Sequence, residues 1–269
     1  MKKIFLVLTI SSVVLAGYGQ GKKSREQKRQ ERKEKINQLA KQEEEGALIY
    51  NKQGAFGIKL STDGYGLFYE HGRYKTITKT FLWWAELSER KHSKEERKTP
   101  TSVSGPFIIL GNPVIYGKIN NFYQLKLGIG EQRLIGGKGN KNGVAVSAIY
   151  GGGFSGGFLK PYYLTITDEN NQTRDVRYDD STARYFKDPS YIVGSAGLFK
   201  GWGNIKFVPG VHARLALRFD YGRFNELLSA VETGVNAEYY TQDMPILFSV
   251  PSKKFFFNAY VSVVFGKRK

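Results

Sequence analysis

The C-terminal segment of the chain alternates between apolar and more polar positions with a period of two. One alternate set is apolar: Phe257, Ala259, Val261, Val263 and Phe265. The other set is more polar: Asn258, Tyr260 and Ser262. Successive side chains of a β-strand point to opposite faces of the sheet, so this pattern predicts an amphipathic, aromatic strand over residues 254–266.

The first 19 residues have the pattern of a secretory signal peptide. Lys2 and Lys3 precede an apolar run over residues 4–16, and small residues follow up to Gly19. This run is shorter than the roughly 20 apolar residues that a membrane-spanning helix needs, so it predicts export with cleavage before Gln20. An exported chain that ends in an amphipathic aromatic strand is typical of an outer-membrane β-barrel.

The period of two recurs from Gly54 onward and predicts an all-β, antiparallel transmembrane barrel. The predicted strands cover residues 55–61, 65–69, 76–87, 120–130, 144–150, 158–166, 205–220, 227–240 and 254–266, and the second and third of these can join into one. We expect eight strands, with ten as the alternative, because bacterial single-chain barrels have even strand numbers and periplasmic termini. Residues 168–203 are predicted to form a long polar loop, and residues 151–157 a glycine cluster between two strands.

Composition agrees with a barrel and excludes several other classes of protein. The 17 Tyr, 18 Phe and 31 Gly suit strands and crowded barrel walls. With no cysteine, the chain has no disulfide, no lipid-modified N-terminal cysteine and no cysteine-based metal site. The mean hydropathy of −0.40 is compatible with membrane-spanning strands, whose alternation keeps the average low.

The chain is strongly basic, and its net charge falls only from +17 to +15 when Lys2 and Lys3 are removed with the signal peptide. Export argues against nucleic acid as the partner of this charge. The expected partners are outer-membrane lipids with anionic head groups and other, acidic, envelope proteins.

Residues 20–49 are predicted to form a charged helical arm in the periplasm. Residues 22–35 carry eight Lys/Arg and three Glu, which are good helix formers, but they contain no apolar stripe that could build a core. The arm is either a solvated spacer or a segment that docks on a neighbouring protein or on the inner leaflet. The predicted domains are therefore a signal peptide (1–19), this arm (20–49) and an outer-membrane barrel (50–269).

Two neighbouring predicted strands carry charged faces that would meet in the lumen of the barrel. In residues 205–220 the polar set holds His212, Arg214, Arg218 and Asp220, and in residues 227–240 it holds Glu232, Asn236 and Glu238. A charge facing lipid at the bilayer midplane costs about 2–4 kcal/mol, so these faces are expected to point inward. We expect Arg214 and Arg218 to pair with Glu232 and Glu238. Such a network either plugs a narrow barrel or lines a polar, proton-relaying lumen.

No catalytic, cofactor-binding or metal-binding residue is predicted. Residues 153–157 match the G-x-S-x-G nucleophile elbow, but an elbow needs a helix after the serine, and the segment that follows is a predicted strand. An alternative is a lipid acyl hydrolase or transferase that pairs Ser155 or Ser147 with His71 or His212. A second alternative is a narrow passive pore.

Four short stretches carry a resemblance to a known family. They are Gly64-Tyr65-Gly66-Leu67-Phe68-Tyr69, Lys91-His92-Ser93-Lys94-Glu95, Asn121-Phe122-Tyr123-Gln124-Leu125 and Leu159-Lys160-Pro161-Tyr162-Tyr163-Leu164. From about residue 50 onward the chain resembles a family of small outer-membrane β-barrel proteins of Bacteroidota-type bacteria, whose motifs carry no known catalytic residue. The resemblance implies an outer-membrane location and a role as an accessory subunit of an assembly or secretion complex. The sequence therefore predicts a non-enzymatic structural or accessory barrel.

Overall fold

A computed structural model describes residues 51–269 apart from 77, 105, 106, 139–142 and 223–226, together with Glu26, Arg29, Gln30 and Lys33. The chain divides into two units, Met1–Ala47 and Leu48–Lys269. In the first unit the four described residues are helical and exposed. The predicted signal peptide lies outside the described residues.

The second unit consists mainly of β-strands. In chain order they are β1 Lys52–Ser61, β2 Gly64–Thr76, β3 Lys79–Arg90, β4 Arg97–Lys98, β5 Thr101–Ser104, β6 Phe107–Leu110, β7 Val114–Ile115, β8 Asn120–Gly136, β9 Ala145–Pro161, β10 Tyr163–Thr167, β11 Thr173–Arg177, β12 Ile192–Ser195, β13 Lys206–Asp220, β14 Leu227–Met244 and β15 Lys253–Arg268. One short helix, α1 Ala183–Lys187, and the 3-10 turns Pro189–Tyr191 and Trp202–Asn204 lie in the connections.

Eight of these strands close into an antiparallel barrel. Their order around the ring is β1-β15-β14-β13-β9-β8-β3-β2, so the first strand pairs with the last, for example Phe56 with Phe265. The prediction of eight strands is confirmed. Closure gives every strand two neighbours and leaves no unpaired edge, which is the condition for a sheet to lie in hydrocarbon.

The barrel has an apolar outside and a polar inside. Outward side chains at mid-strand positions are large, apolar and exposed; we call these residues the outer belt (Ile58, Leu67, Trp83, Ile129, Leu215, Phe257 and Val261). Inward positions hold charged groups that are almost fully buried, among them Arg218 at 1% exposure and Glu232 at 0%. This arrangement is the reverse of a water-soluble fold and defines a transmembrane β-barrel.

No helix among the described residues is long and apolar enough to cross a membrane.

Two strand boundaries differ from the prediction. Residues 65–69 lie in β2, which ends at Thr76, whereas most of the predicted strand 76–87 lies in β3, which begins at Lys79. The glycine cluster at 151–157 is neither a hairpin nor a break, because β9 runs through it without interruption. A Cβ atom on Gly151 would lie 2.8 Å from a ring carbon of Trp84, so glycine serves close packing here rather than a turn.

The predicted long polar loop at 168–203 is in fact largely folded. Strands β10, β11 and β12 form a three-stranded antiparallel sheet with α1 beside it; we call residues 163–195 the loop module. Its core is apolar and buried: Val114, Leu164, Ile166, Val176, Tyr185, Phe186 and Ile192. The loop interpretation was wrong because these residues are scattered between polar ones and meet only in three dimensions.

The two ends of the barrel differ in their connections. One end carries the long connections from β3 to β8 and from β9 to β13, together with the β1–β2 turn and residues 245–252; we call it the loop end. The other end carries the shorter connections 77–78, 137–144 and 221–226. The first barrel strand, β1, begins at this end, and the last, β15, ends there. The loop module therefore lies at the loop end.

Candidate functional site

The centre of the lumen holds a compact ion cluster built from two arginines and two glutamates. Arg218, on β13, donates to both oxygens of Glu70 on β2, including a bond of 2.7 Å from Nη2 to Oε2. It also donates from Nη2 to Glu232 on β14 at 2.6 Å, and Arg214 bonds to the other oxygen of Glu232. Bonds of this kind, between two charged groups, are about twice as strong as neutral ones.

A second ion cluster lies nearer the loop end and joins β1, β3 and β8 to β14. Lys126, on β8, contacts Glu86 at 3.2 Å and Glu238 at 2.7 Å, and Lys59 also bonds to Glu86. Arg90 contacts Glu238 at 3.1 Å and Asp63, in the β1–β2 turn, at 2.7 Å. We call the charged residues of the two clusters the lumen network: Lys59, Glu70, Glu86, Arg90, Lys126, Arg214, Arg218, Glu232 and Glu238.

Glu238 does not pair with the arginines of β13, contrary to the expectation from the sequence. In the register of β13 and β14, Arg218 lies opposite Glu232, whereas Glu238 lies opposite His212. Glu238 therefore lies closer to the loop end than the arginines and bonds across the lumen to Arg90 and Lys126 instead.

Both ends of the lumen are also occupied. At the loop end, buried apolar side chains pack together: Phe122, Leu159, Val208, Tyr240, Met244, Ile246 and Leu247. At the opposite end, Asp220 accepts from Arg268 at 2.5 Å and contacts Lys138 at 3.4 Å. The lumen is thus filled by ion pairs in its middle and is closed by apolar packing at its loop end.

The serine and histidine candidates do not form a catalytic pair. Ser155 Oγ is 2.9 Å from the hydroxyl of Tyr240, and Ser147 accepts from Gln132 at 3.2 Å. Within the described residues neither ring nitrogen of His212 has a hydrogen-bond partner, and the ring packs edge-on against Trp84 at 5.9 Å.

His71 lies on the outer face of β2, beside Trp83 at 5.8 Å between ring centroids, and so on the opposite side of the wall from either serine. No group of three or more metal-ligating His, Asp or Glu side chains occurs in the part of the chain that the structure describes.

Of the three residues singled out on the terminal strand, Phe257 and Phe265 face outward and Tyr260 faces the lumen. Phe257 and Phe265 are exposed on the outer face of β15. Tyr260 points inward, where its hydroxyl donates to Glu232 at 2.6 Å and accepts from Arg214 Nε at 2.8 Å. Tyr260 is therefore part of the central ion cluster and links it to the strand that closes the barrel.

Several members of the lumen network were missed from the sequence. Lys59, Glu70, Glu86 and Lys126 each alternate with outward-facing residues along their own strands, for example Lys59 between the exposed Ile58 and Leu60 on β1. That alternation is the signal that could have placed them in the lumen. The alternation does not show which residue each of them pairs with, because each pair joins two different strands.

The loop end offers a second candidate site, a cleft of about 750 Å³ between the loop module and the β4–β7 ladder. Its lining mixes one cation with hydroxyl and apolar groups, including Lys98, Thr101, Tyr116, Thr173, Ser190 and Val193. A cleft of this size is within the range of small-molecule or peptide sites.

Two aspartates outside the barrel strands, Asp63 and Asp175, have pKa values shifted in opposite directions. Burial raises the pKa of Asp63, and the nearby Arg90 guanidinium opposes that rise. Hydrogen bonds from Lys200 and Thr165 hold the pKa of Asp175, on β11, below its ordinary value. Asp175 is therefore ionised at neutral pH and ties Lys200 to the loop module.

The fold and the filled lumen define the class of this protein as an eight-stranded transmembrane β-barrel. No protein-family model matches the chain, and no curated protein matches it.

Among solved structures, the chain is similar to Neisserial surface protein A (NspA), with 7% identity and a TM-score of 0.41 over 81% of this chain and 96% of that one. It is also similar to the N-terminal β-barrel domain of Pseudomonas aeruginosa OprF, with 9% identity and a TM-score of 0.37 over 81% and 98%. A third similar structure is Ail, the attachment invasion locus protein of Yersinia pestis, with 8% identity and a TM-score of 0.36 over 82% and 100%.

Proposed function

We propose that this protein is a non-enzymatic outer-membrane β-barrel that acts as a structural or accessory subunit of a complex for outer-membrane protein assembly or secretion. The observation that carries the proposal is the filled lumen, in which Arg218 bonds to both Glu70 and Glu232. A barrel filled in this way is suited to contacting neighbours through its wall, its loop module and its arm rather than to conducting solutes.

The outer belt and the predicted signal peptide together support an outer-membrane location. A closed barrel with exposed Leu215 and Ile129 on its wall needs a hydrocarbon surrounding, and residues 1–19 have the pattern of an export signal. The resemblance to small outer-membrane barrels of Bacteroidota-type bacteria points to the same location.

The unequal ends of the barrel support one orientation in the membrane. Outer-membrane barrels have short periplasmic turns and longer extracellular loops. By that rule the loop module faces the cell exterior. The shorter connections and both ends of the barrel sequence face the periplasm, where residues 22–35, with five more positive than negative charges, suit an acidic partner.

The proposal is tested by native purification from outer membranes in mild detergent, with an affinity tag placed just after Gln20. We expect other envelope proteins in fixed stoichiometry with the barrel. The matched control lacks residues 22–45 but keeps the whole barrel, and it should lose those partners that bind the arm. Recovery of the wild-type barrel alone, correctly folded in the outer membrane, would overturn the subunit role.

A further inference from the structure

The connection between β12 and β13 exposes large apolar side chains beside the barrel wall. Leu198 is 80% exposed, Phe199 91% and Trp202 55%. We call residues 197–204 the apolar turn. Contiguous apolar groups on a protein surface commonly mark a site that contacts another protein or a membrane.

Trp202 fixes the apolar turn against the outer face of the barrel. Its indole stacks on Tyr123, with 5.9 Å between ring centroids and 13° between the planes. Tyr123 lies on the same face of β8 as Leu127 and Ile129, which are exposed on the barrel wall. The apolar turn therefore continues the lipid-facing surface of the barrel at its loop end.

The geometry of the apolar turn is held by specific contacts. Trp202 Nε1 donates to the carbonyl of Leu198 at 3.2 Å, and the ammonium of Lys160 on β9 donates to the same carbonyl. Gly201 adopts the left-handed conformation with φ of 92°, and a Cβ atom there would lie 2.8 Å from the carbonyl oxygen of Pro161. The backbone thus approaches the end of β9 closely while Leu198 and Phe199 stay exposed.

The surroundings of the apolar turn have the composition of a membrane interface. Phe207, the second residue of β13, is half exposed and lies 5.2 Å from Phe158 between ring centroids. The ammonium of Lys160 lies 4.9 Å from the centre of the Trp202 ring, and Lys206 is exposed next to Phe207. Aromatic rings beside cations are enriched where a membrane protein meets lipid head groups.

We propose that the apolar turn inserts Leu198 and Phe199 into the boundary between head groups and acyl chains of the membrane that the barrel spans. The inserted turn anchors the adjoining loop module to the lipid surface. The occupant of this surface is lipid rather than protein, because Tyr123 places the turn on the face of β8 that also carries Ile129 of the outer belt. The inference rests on the transmembrane barrel, and its test measures barrel insertion separately.

The test uses the absence of cysteine from the full chain to label single positions. Phe199→Cys carries a fluorophore on the apolar turn, Leu215→Cys carries it on the middle of the wall, and Asn170→Cys carries it on the exposed β10–β11 turn. Each variant is reconstituted into phosphatidylcholine vesicles that contain lipids brominated at shallow or deep acyl positions. A folded-versus-boiled gel shift establishes that each barrel is intact.

We expect shallow bromines to quench the Phe199→Cys label, deep bromines to quench the Leu215→Cys label, and neither to quench the Asn170→Cys label. If the wall label is quenched but the label at position 199 is quenched only by aqueous iodide, the turn lies in water and the inference is wrong. Shielding of position 199 from both iodide and bromolipid would show that protein covers the turn, and it would overturn the inference equally.

Discussion

The indole of Trp84 lies in the lumen over Gly128, its direct cross-strand neighbour on β8. A Cβ atom on Gly128 would lie 2.8 Å from Trp84 Nε1 and closer still to two ring carbons. The same indole comes within 3.0 Å of the Cβ position of Gly130 and 2.8 Å of that of Gly151. Gly128 therefore makes room for the indole of Trp84, which also lies against the Cβ positions of Gly130 and Gly151.

Gly128→Ala is expected to lower the free energy of unfolding by about 1–3 kcal/mol, because the added methyl group overpacks the lumen against the indole. The measurement is urea unfolding of the refolded barrel in detergent micelles. In a Trp84→Leu background the same substitution should cost clearly less, since the clashing ring is gone.

Gly136→Ala is the matched control, on the same strand, because no atom lies within 4 Å of its Cβ position. An equal loss of stability in Gly128→Ala and Gly136→Ala would contradict the packing explanation.

Glu232→Gln is expected to destabilise the barrel by about 3–5 kcal/mol, because it leaves buried arginine charge without its carboxylate. Glu232 bonds to Arg214, Arg218 and Tyr260 and is 0% exposed. Urea unfolding measures the change in stability. Glu96→Gln is the control, because the Glu96 side chain is 74% exposed and its ion pair with Lys98, at 3.4 Å, lies on the surface. A Glu232→Gln barrel as stable as the control would mean that the lumen network adds no stability.

Leu215→Arg tests whether the outer belt faces hydrocarbon. Leu215 is 57% exposed on the wall, and a charge near the bilayer midplane should cost about 2–4 kcal/mol. The readout is the unfolding free energy of the barrel in phospholipid vesicles. Val193→Arg, at an exposed position of the loop module, should change it little; equal small effects would show that Leu215 faces water.

The filled lumen predicts that the barrel does not conduct ions across planar bilayers. Exchanging the charges in the double variant Arg214→Glu and Glu232→Arg should lower stability while conductance remains at the background of protein-free membranes. Discrete channel steps in the wild-type protein, with an ion selectivity that reverses in the exchanged variant, would instead establish a pore.

Phe186→Ala is expected to unfold the loop module while the barrel remains closed. The side chain of Phe186 is 0% exposed in the module core, and such truncations cost about 3–5 kcal/mol. Limited proteolysis should cut the variant within residues 163–195, while a folded-versus-boiled gel shift shows an intact barrel. Lys187→Ala, at the exposed neighbouring position, should resist proteolysis like the wild type; cleavage of both variants alike would contradict the core assignment.

The direction of side chains on the last three barrel strands followed from the sequence. Arg214, Arg218 and Glu232 alternate with apolar residues, and alternation decides which face of a strand a residue occupies without reference to any other strand. The role of the β9 glycines did not follow from the sequence, because the atoms that crowd them belong to other strands: Gly151 lies against the indole of Trp84, and Gly157 lies against Met244.

By itself the sequence determined the strand period and the two faces of each long strand, because these are local properties repeated along the chain. The choice of eight strands over ten needed the tertiary structure, because the boundaries near Thr76 and across residues 151–157 differ from the sequence prediction. Only the tertiary structure decided that Arg218 pairs with Glu70 and that Glu238 bonds to Arg90, since each pair joins residues 148 positions apart. The tertiary structure was likewise needed to recognise the core of the loop module. Val114, Leu164 and Phe186 become neighbours only when two connections fold together at one end of the barrel.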